Sequence, residues 1–402
     1  MSSTPVSRRT ALRTLGAAAA AIVGAPAILR GRFQLFAESP AEYSARTIRL
    51  VQESPVVDLL CQFAFPDQRE QGTPLATRWL REPGTFTEEH FAMFRNSGVD
   101  ILCLGRGAPS YEANLTFLAE WNGFIASYPQ WFMRIDHPRH LDAVKGSGRV
   151  GIMITTQTAD GFRTLDDINA SFGLGQRVAQ LTYNFQNRIG AGFLEHNDGG
   201  LSVFGHQVLE RMERVGMGVD LSHCADRTTL DSLAAAKRPA LFTHAACRAL
   251  VPGRTRNKTD EMIRKLAATG GVMGIAYIRF MIRSGAPVTV EHVVDHFDHV
   301  IRLVGAEHVA VGSDLDLQGW GSPRPPEGRT SEIANQPNFD RYFAYYADDG
   351  GVHVDGLGHP RRMFDLTEAF VRRGYSDHTI RLILGGNAVR IFRDLWTGSR
   401  AR

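Results

Sequence analysis

Gly218-Val219-Asp220-Leu221-Ser222-His223 and, one amphipathic stretch later, Ala240-Leu241-Phe242-Thr243-His244 decide the fold. Each is a short β-rich run closed by a histidine. The stretch between them, Asp226 to Ala236, opens on an acidic residue, as a helix N-terminus favours. Strand, helix and strand in that order make a βαβ unit and predict a parallel sheet. The alternation continues in both directions. Upstream lie Val56-Val57-Asp58, Ile101-Leu102-Cys103-Leu104, Val150-Gly151-Ile152-Met153-Ile154 and Val178 to Tyr183; downstream lie Gly271-Val272-Met273-Gly274-Ile275 and Val309-Ala310-Val311-Gly312. Further helices are predicted to open at Phe86-Thr87-Glu88-Glu89 and to run from Asp260 to Ala268. Eight such runs, with no GxGxxG turn opening a helix, predict an α/β chain with one (β/α)8 TIM barrel over residues 50–397 rather than two dinucleotide-binding halves.

The 402 residues are 43% hydrophobic and 22% charged, which suits a large packed core and excludes a disordered or collagen-like chain. A net charge of +3, with both signs mixed throughout, leaves no basic concentration for nucleic acid, so small-molecule chemistry is expected. Cys61, Cys103, Cys224 and Cys247 show no CxxC spacing and read as buried small hydrophobes. Residues 1–30 read as a twin-arginine export signal: Ser7-Arg8-Arg9-Thr10-Ala11-Leu12, the apolar run Leu15 to Val23, then Ala25-Pro26-Ala27. That run is far short of the roughly 20 residues of a spanning helix, so cleavage near Ala27 and a periplasmic location are expected, with no stable membrane span. The Gly-, Pro- and Ser-rich segment Gly319 to Asn338, leading into Tyr342-Phe343-Ala344-Tyr345-Tyr346, reads as a long loop over the barrel mouth.

In such a barrel the working residues stand at the carboxyl ends of the strands. His223 and His244 end two consecutive strands, and Gly312-Ser313-Asp314-Leu315-Asp316 brings carboxylates to the same rim. Two imidazoles and a carboxylate form a reasonable ligand set for zinc or another divalent ion. His206, His292, His296, His299 and His359 fall in helices or loops and read as structural or solvated, while His196 is undecided.

The chain resembles the membrane dipeptidase family. The resemblance lies in Gly200-Leu201-Ser202-Val203-Phe204-Gly205 with Gly218 to His223, in Phe242-Thr243-His244 with Arg256-Asn257, in Val311 to Asp316, and in Gly385-Gly386-Asn387-Ala388-Val389-Arg390-Ile391-Phe392. It implies a barrel of the metal-dependent amidohydrolase type that hydrolyses dipeptides with two zinc ions bridged by a glutamate. By that resemblance His223 and His244 hold one ion, Asp314 handles the proton of the attacking water, Arg256 grips the substrate carboxylate, and a homodimer is expected.

Against the family pattern, Leu60 and Gln62 stand where a His-x-Asp ligand pair is expected, and Gln157 stands in place of the bridging glutamate. Leucine cannot ligate, and a neutral amide is a poor ligand for a dication. Tyr183 takes the place of a substrate-facing histidine, and its hydroxyl can still donate. The reading is therefore a hydrolase of dipeptides or similar small amides with one zinc ion at most, or none. The alternative is a catalytically altered or inactive relative that binds or tailors a peptide-derived metabolite.

Overall fold

The computed structural model describes residues 31–33, 42–65, 69–70, 73–319, 352 and 354–397. The export segment, the mouth loop from residue 320 onward and the Tyr342 to Tyr346 run lie outside the described residues. Eight parallel strands run in sequence order around the sheet: β1 (Val57–Cys61), β2 (Ile101–Leu104), β3 (Val150–Thr156), β4 (Gln176–Gln180), β5 (Gly218–Asp220), β6 (Leu241–Ala245), β7 (Val272–Ile275) and β8 (Val309–Val311). A short strand, Phe132–Arg134, also pairs with the first half of β3. Seven of the eight strands fall where anticipated, and every residue in all eight is buried, as expected of a parallel sheet covered by helices. The helices Glu88–Arg95, Asp226–Ala235 and Asp260–Ala268 also lie where their caps predicted them, Thr87 and Thr259 each accepting a backbone N–H.

One strand differs. Val178 to Tyr183 was the anticipated run, but β4 starts two residues earlier and ends at Gln180. The polar residues at its start are paired inside the protein: the Gln176 amide donates to Thr156 Oγ1 and accepts from Asn114, and Arg177 donates to the carbonyls of Phe172 and Asp136. Beyond Gln180 the chain leaves the sheet, and the Gln180 amide folds forward onto the Thr182 carbonyl at 2.8 Å.

The barrel closes between β1 and β8, where the ladder is thin. Asp314 N donates to Leu60 O at 2.9 Å, Gln62 N donates to Leu315 O at 3.1 Å, and Cys61 bridges Leu315. The rest of the seam is held by the fully buried Asp58. It accepts Ser313 N at 2.8 Å and Ser313 Oγ at 2.5 Å, and its carboxylate lies 3.5 Å from the equally buried Arg362 guanidinium. Arg362 in turn donates to the carbonyls of Asp316 and Leu317. Asp316, expected on the rim as a chemical group, instead accepts the backbone N–H groups of Ala64 and Phe65. At the other end Asn387 donates to the carbonyls of Ala306 and Val309, and a Cβ on Gly385 would fall 2.3 Å from Pro55 O. The C-terminal Gly385-Gly386-Asn387 run thus plugs the floor of the barrel.

Removing one partner of a buried ion pair leaves an uncompensated charge in the core. Asp58→Ala should lower the unfolding free energy by about 3–5 kcal/mol in urea denaturation. A loss below about 1 kcal/mol would mean that the seam does not depend on this carboxylate.

Candidate active site at the strand ends

β5 ends at Asp220, whose buried carboxylate ties the turn after it to Thr243 on β6. Asp220 Oδ1 accepts Ser222 N at 3.0 Å, Ser222 Oγ at 2.6 Å and Thr243 N at 3.0 Å, while Oδ2 accepts Thr243 Oγ1 at 2.6 Å. Burial pushes the Asp220 carboxyl up, and the Ser222 and Thr243 hydrogen bonds oppose that rise. The turn so formed carries His223 over the mouth. On β6 the register shifts between Phe242 and Ala245, an irregularity of the kind that re-aims side chains beside active sites. His244 sits in that shift, and the Thr243 carbonyl packs so closely on β8's end that a Cβ at Gly312 would overlap it.

The two histidines meet. His223 Nε2 lies 2.9 Å from His244 Nε2, both rings being buried. His223 Nδ1 faces Asn184 Oδ1 at 2.8 Å, an acceptor, so Nδ1 carries the proton. His244 Nδ1 faces Thr243 Oγ1 at 2.8 Å, and that hydroxyl has its only proton committed to Asp220, so here too Nδ1 is the donor. Both Nε2 atoms therefore present bare lone pairs to each other. Burial first, and then the Arg256 guanidinium, hold both imidazoles well below their ordinary range, so a proton between them is disfavoured. Two neutral ring nitrogens with their remote N–H groups anchored are the donor chemistry of a metal-binding histidine pair.

The pair brings together two nitrogen donors of the kind that hold a divalent ion. Among the described residues no group of three or more His, Cys, Asp or Glu side chains is placed to hold a metal. Leu60 and Gln62 do share one face, since a Cβ at Gly105 would lie 3.0 Å from Leu60 Cγ and 3.2 Å from Gln62 Cδ. Neither offers a charged donor. Gln157 is buried directly after β3, and its backbone carbonyl accepts the Gln180 amide at 2.5 Å.

Asp314 stands half-buried on the rim with φ at +58°, a conformation tolerated by Asp better than by most residues and frequent at functional sites. Gln62 Nε2 donates to its Oδ1 at 2.7 Å. The protein packed around this carboxyl pushes it up to about 6, against the lowering effects of Arg256 and Gln62. Arg256 is buried and donates to Ser222 O at 2.6 Å and His244 O at 2.9 Å, so the predicted substrate clamp also braces the two histidine loops. Tyr183 lies flat on His223, ring centroids 4.4 Å apart.

Lys258 carried no sequence cue. It is buried, donates to Cys224 O at 2.9 Å and to Thr229 Oγ1 at 3.3 Å, and lies 5.1 Å from the Phe242 ring centre. Burial pushes its ammonium down to about 7. Arg256 and Lys258 thereby hold the carbonyls on either side of His223. All four cysteines are free and buried. Of the histidines read as structural, His296 bridges Cys247 N and Ile282 O, and His299 pairs with Asp260 at 2.7 Å.

Comparison with known proteins finds relatives named as dipeptidases. Rat dipeptidase 3 is 27% identical over 234 residues, 57% of this chain and 41% of that protein. The dipeptidase verJ of Clonostachys rogersoniana is 32% identical over 224 residues, 55% of this chain and 48% of its own length. The chain thus spans about half the length of the curated relatives it matches. Among solved structures, an amidohydrolase from Pseudomonas aeruginosa superposes with a TM-score of 0.71 at 23% identity, covering 87% of this chain and 99% of that one. A metallopeptidase from Rhodobacter sphaeroides, liganded with a phosphinate mimic of the dipeptide L-Ala-D-Ala, superposes at 0.66 and 18% identity, covering 85% and 99%. At those identities the two structures speak for the fold alone. The family model of membrane dipeptidases (peptidase family M19) matches residues 46–330, and the chain belongs to that family.

Proposed function

We propose that this chain is an exported hydrolase of dipeptides or similarly small amides, working with a single zinc ion on His223 and His244. The observation that carries the reading is the meeting of two neutral, anchored Nε2 lone pairs at 2.9 Å, an arrangement that is repulsive until a cation joins it. When bound, such an ion supplies Lewis acidity and brings the pKa of a coordinated water to near neutrality. Asp314 accepts the proton of the attacking water, its raised pKa poising it for general-base work near neutral pH. Gln62, hydrogen-bonded to Asp314, fixes the orientation of that carboxylate. Arg256 attracts the substrate carboxylate toward the histidine loops. The Tyr183 ring shields His223 on one side.

A second reading, a protein that binds or tailors a peptide-derived metabolite without hydrolysing it, is favoured by the neutral residues at Leu60, Gln62 and Gln157. Elemental mass spectrometry on protein purified without chelator, beside a dipeptide hydrolysis assay, separates the two. About one zinc per chain is expected, lost together with turnover in His223→Ala/His244→Ala. Asn184→Ala should weaken zinc about 10–100-fold in chelator competition, because it releases the anchored Nδ1. No metal and no hydrolysis, with zinc added, would leave only the second reading.

The base assignment has its own pH dependence. The active form of Asp314 is the ionised one, so kcat/KM should fall as pH drops through about 6. Asp314→Asn should cost about 10²–10⁴ in rate. An unchanged rate in that variant would remove Asp314 from the chemistry.

A further inference from the structure

A second cleft lies at the opposite end of the barrel from the histidines, among the segments that lead into β1, β2 and β3. Its volume is about 410 Å³, within the range of small-molecule sites. The buried side chains of Val51, Val144 and Phe364 contribute an apolar lining, and Arg95, Lys145 and Arg149 line the same space. The one carboxylate in the lining, Asp100, is already engaged: it accepts Val56 N at 2.8 Å and Lys145 Nζ at 2.9 Å. Lys145 also donates to Val51 O at 3.2 Å. Among the described residues the guanidinium groups of Arg95 and Arg149 have no hydrogen-bond or ion-pair partner, and neither do the backbone N–H groups of Gly146 and Gly148, which line the cleft with them.

A lone surface arginine without a partner is ordinary. Here two line one concave space whose single carboxylate is engaged by a third cation, and unpaired backbone donors adjoin them. The surplus is positive, the donors suit planar or tetrahedral oxyanions, and the lining is hydrocarbon.

We propose that this cleft is a binding site for a small organic anion, a carboxylate or phosphate carried on an apolar body. The anionic group lies between Arg95 and Arg149, and the body packs on Val51, Val144 and Phe364. Ligands of this class would bind remotely from the histidine mouth, so the assignment does not rest on the hydrolase reading.

Isothermal titration of the full chain with phenyl phosphate, benzoate and inorganic phosphate tests it. Saturable one-to-one binding is expected for phenyl phosphate or benzoate, the tighter of the two identifying the head group, with inorganic phosphate weaker than phenyl phosphate. Arg95→Gln/Arg149→Gln, two surface changes that leave the core intact, should weaken binding about tenfold or more. Added salt should weaken it further. Binding should survive in His223→Ala/His244→Ala. Absence of saturable binding, equal affinity in the arginine variant, or loss in the histidine variant would overturn the site. Equal affinity for phenyl and inorganic phosphate would overturn the apolar contact.

Discussion

Two buried carboxylates, Asp58 near the start of β1 and Asp220 at the end of β5, are the constraint on which the rest depends. Their hydrogen bonding is nearly superimposable in pattern. In each, one oxygen accepts the backbone N–H two residues ahead together with a backbone N–H from the neighbouring strand's end, and the other oxygen takes that neighbour's hydroxyl. Burying a carboxylate is costly unless its oxygens are satisfied, and each here has at least three donors. Asp58 adds the Arg362 charge and closes the barrel. Asp220 has no such cation, and its strength goes into arranging the turn that presents His223 and the hydroxyl that sets the tautomer of His244. One device serves closure on one side of the barrel and site geometry on the other.

Much of this was legible in the sequence, for identifiable reasons. Strands buried on both faces read as apolar, β-branched runs, and seven of the eight fell where that pattern put them. β4 shifted because Gln176 and Arg177 are polar residues whose partners come from distant segments, which no local pattern reveals. The histidine pair was legible because each imidazole directly ends a strand or the turn after it. Lys258 was not, because a lysine in a polar loop normally points to solvent, and only the fold brings Cys224 O and the Phe242 ring around it. Asp314 and Asp316 looked alike in sequence. Their different roles arise from the backbone of Ala64 and Phe65, which captures one and leaves the other on the rim.

The neutral side chains of Leu60, Gln62 and Gln157 are consistent with the charges around the histidines. Near the histidines stand Arg256 and the buried Lys258, and the carboxylates close by are Asp314 and Asp220. Asp220 is fully buried and enclosed by hydroxyl and amide donors, whereas Asp314 is half-buried on the rim and takes a hydrogen bond from Gln62. A second dication would therefore sit against leucine and neutral amides, repelled by the first ion and by Arg256, with no bridging carboxylate to offset that repulsion. A single ion meets a different balance. Its two nitrogen donors, buried and anchored, already face each other at 2.9 Å, so binding it would relieve a lone-pair repulsion instead of ordering loose side chains. On the one-ion proposal, the neutral residues at Leu60, Gln62 and Gln157 would thus leave intact the interactions that hold His223 and His244 in place.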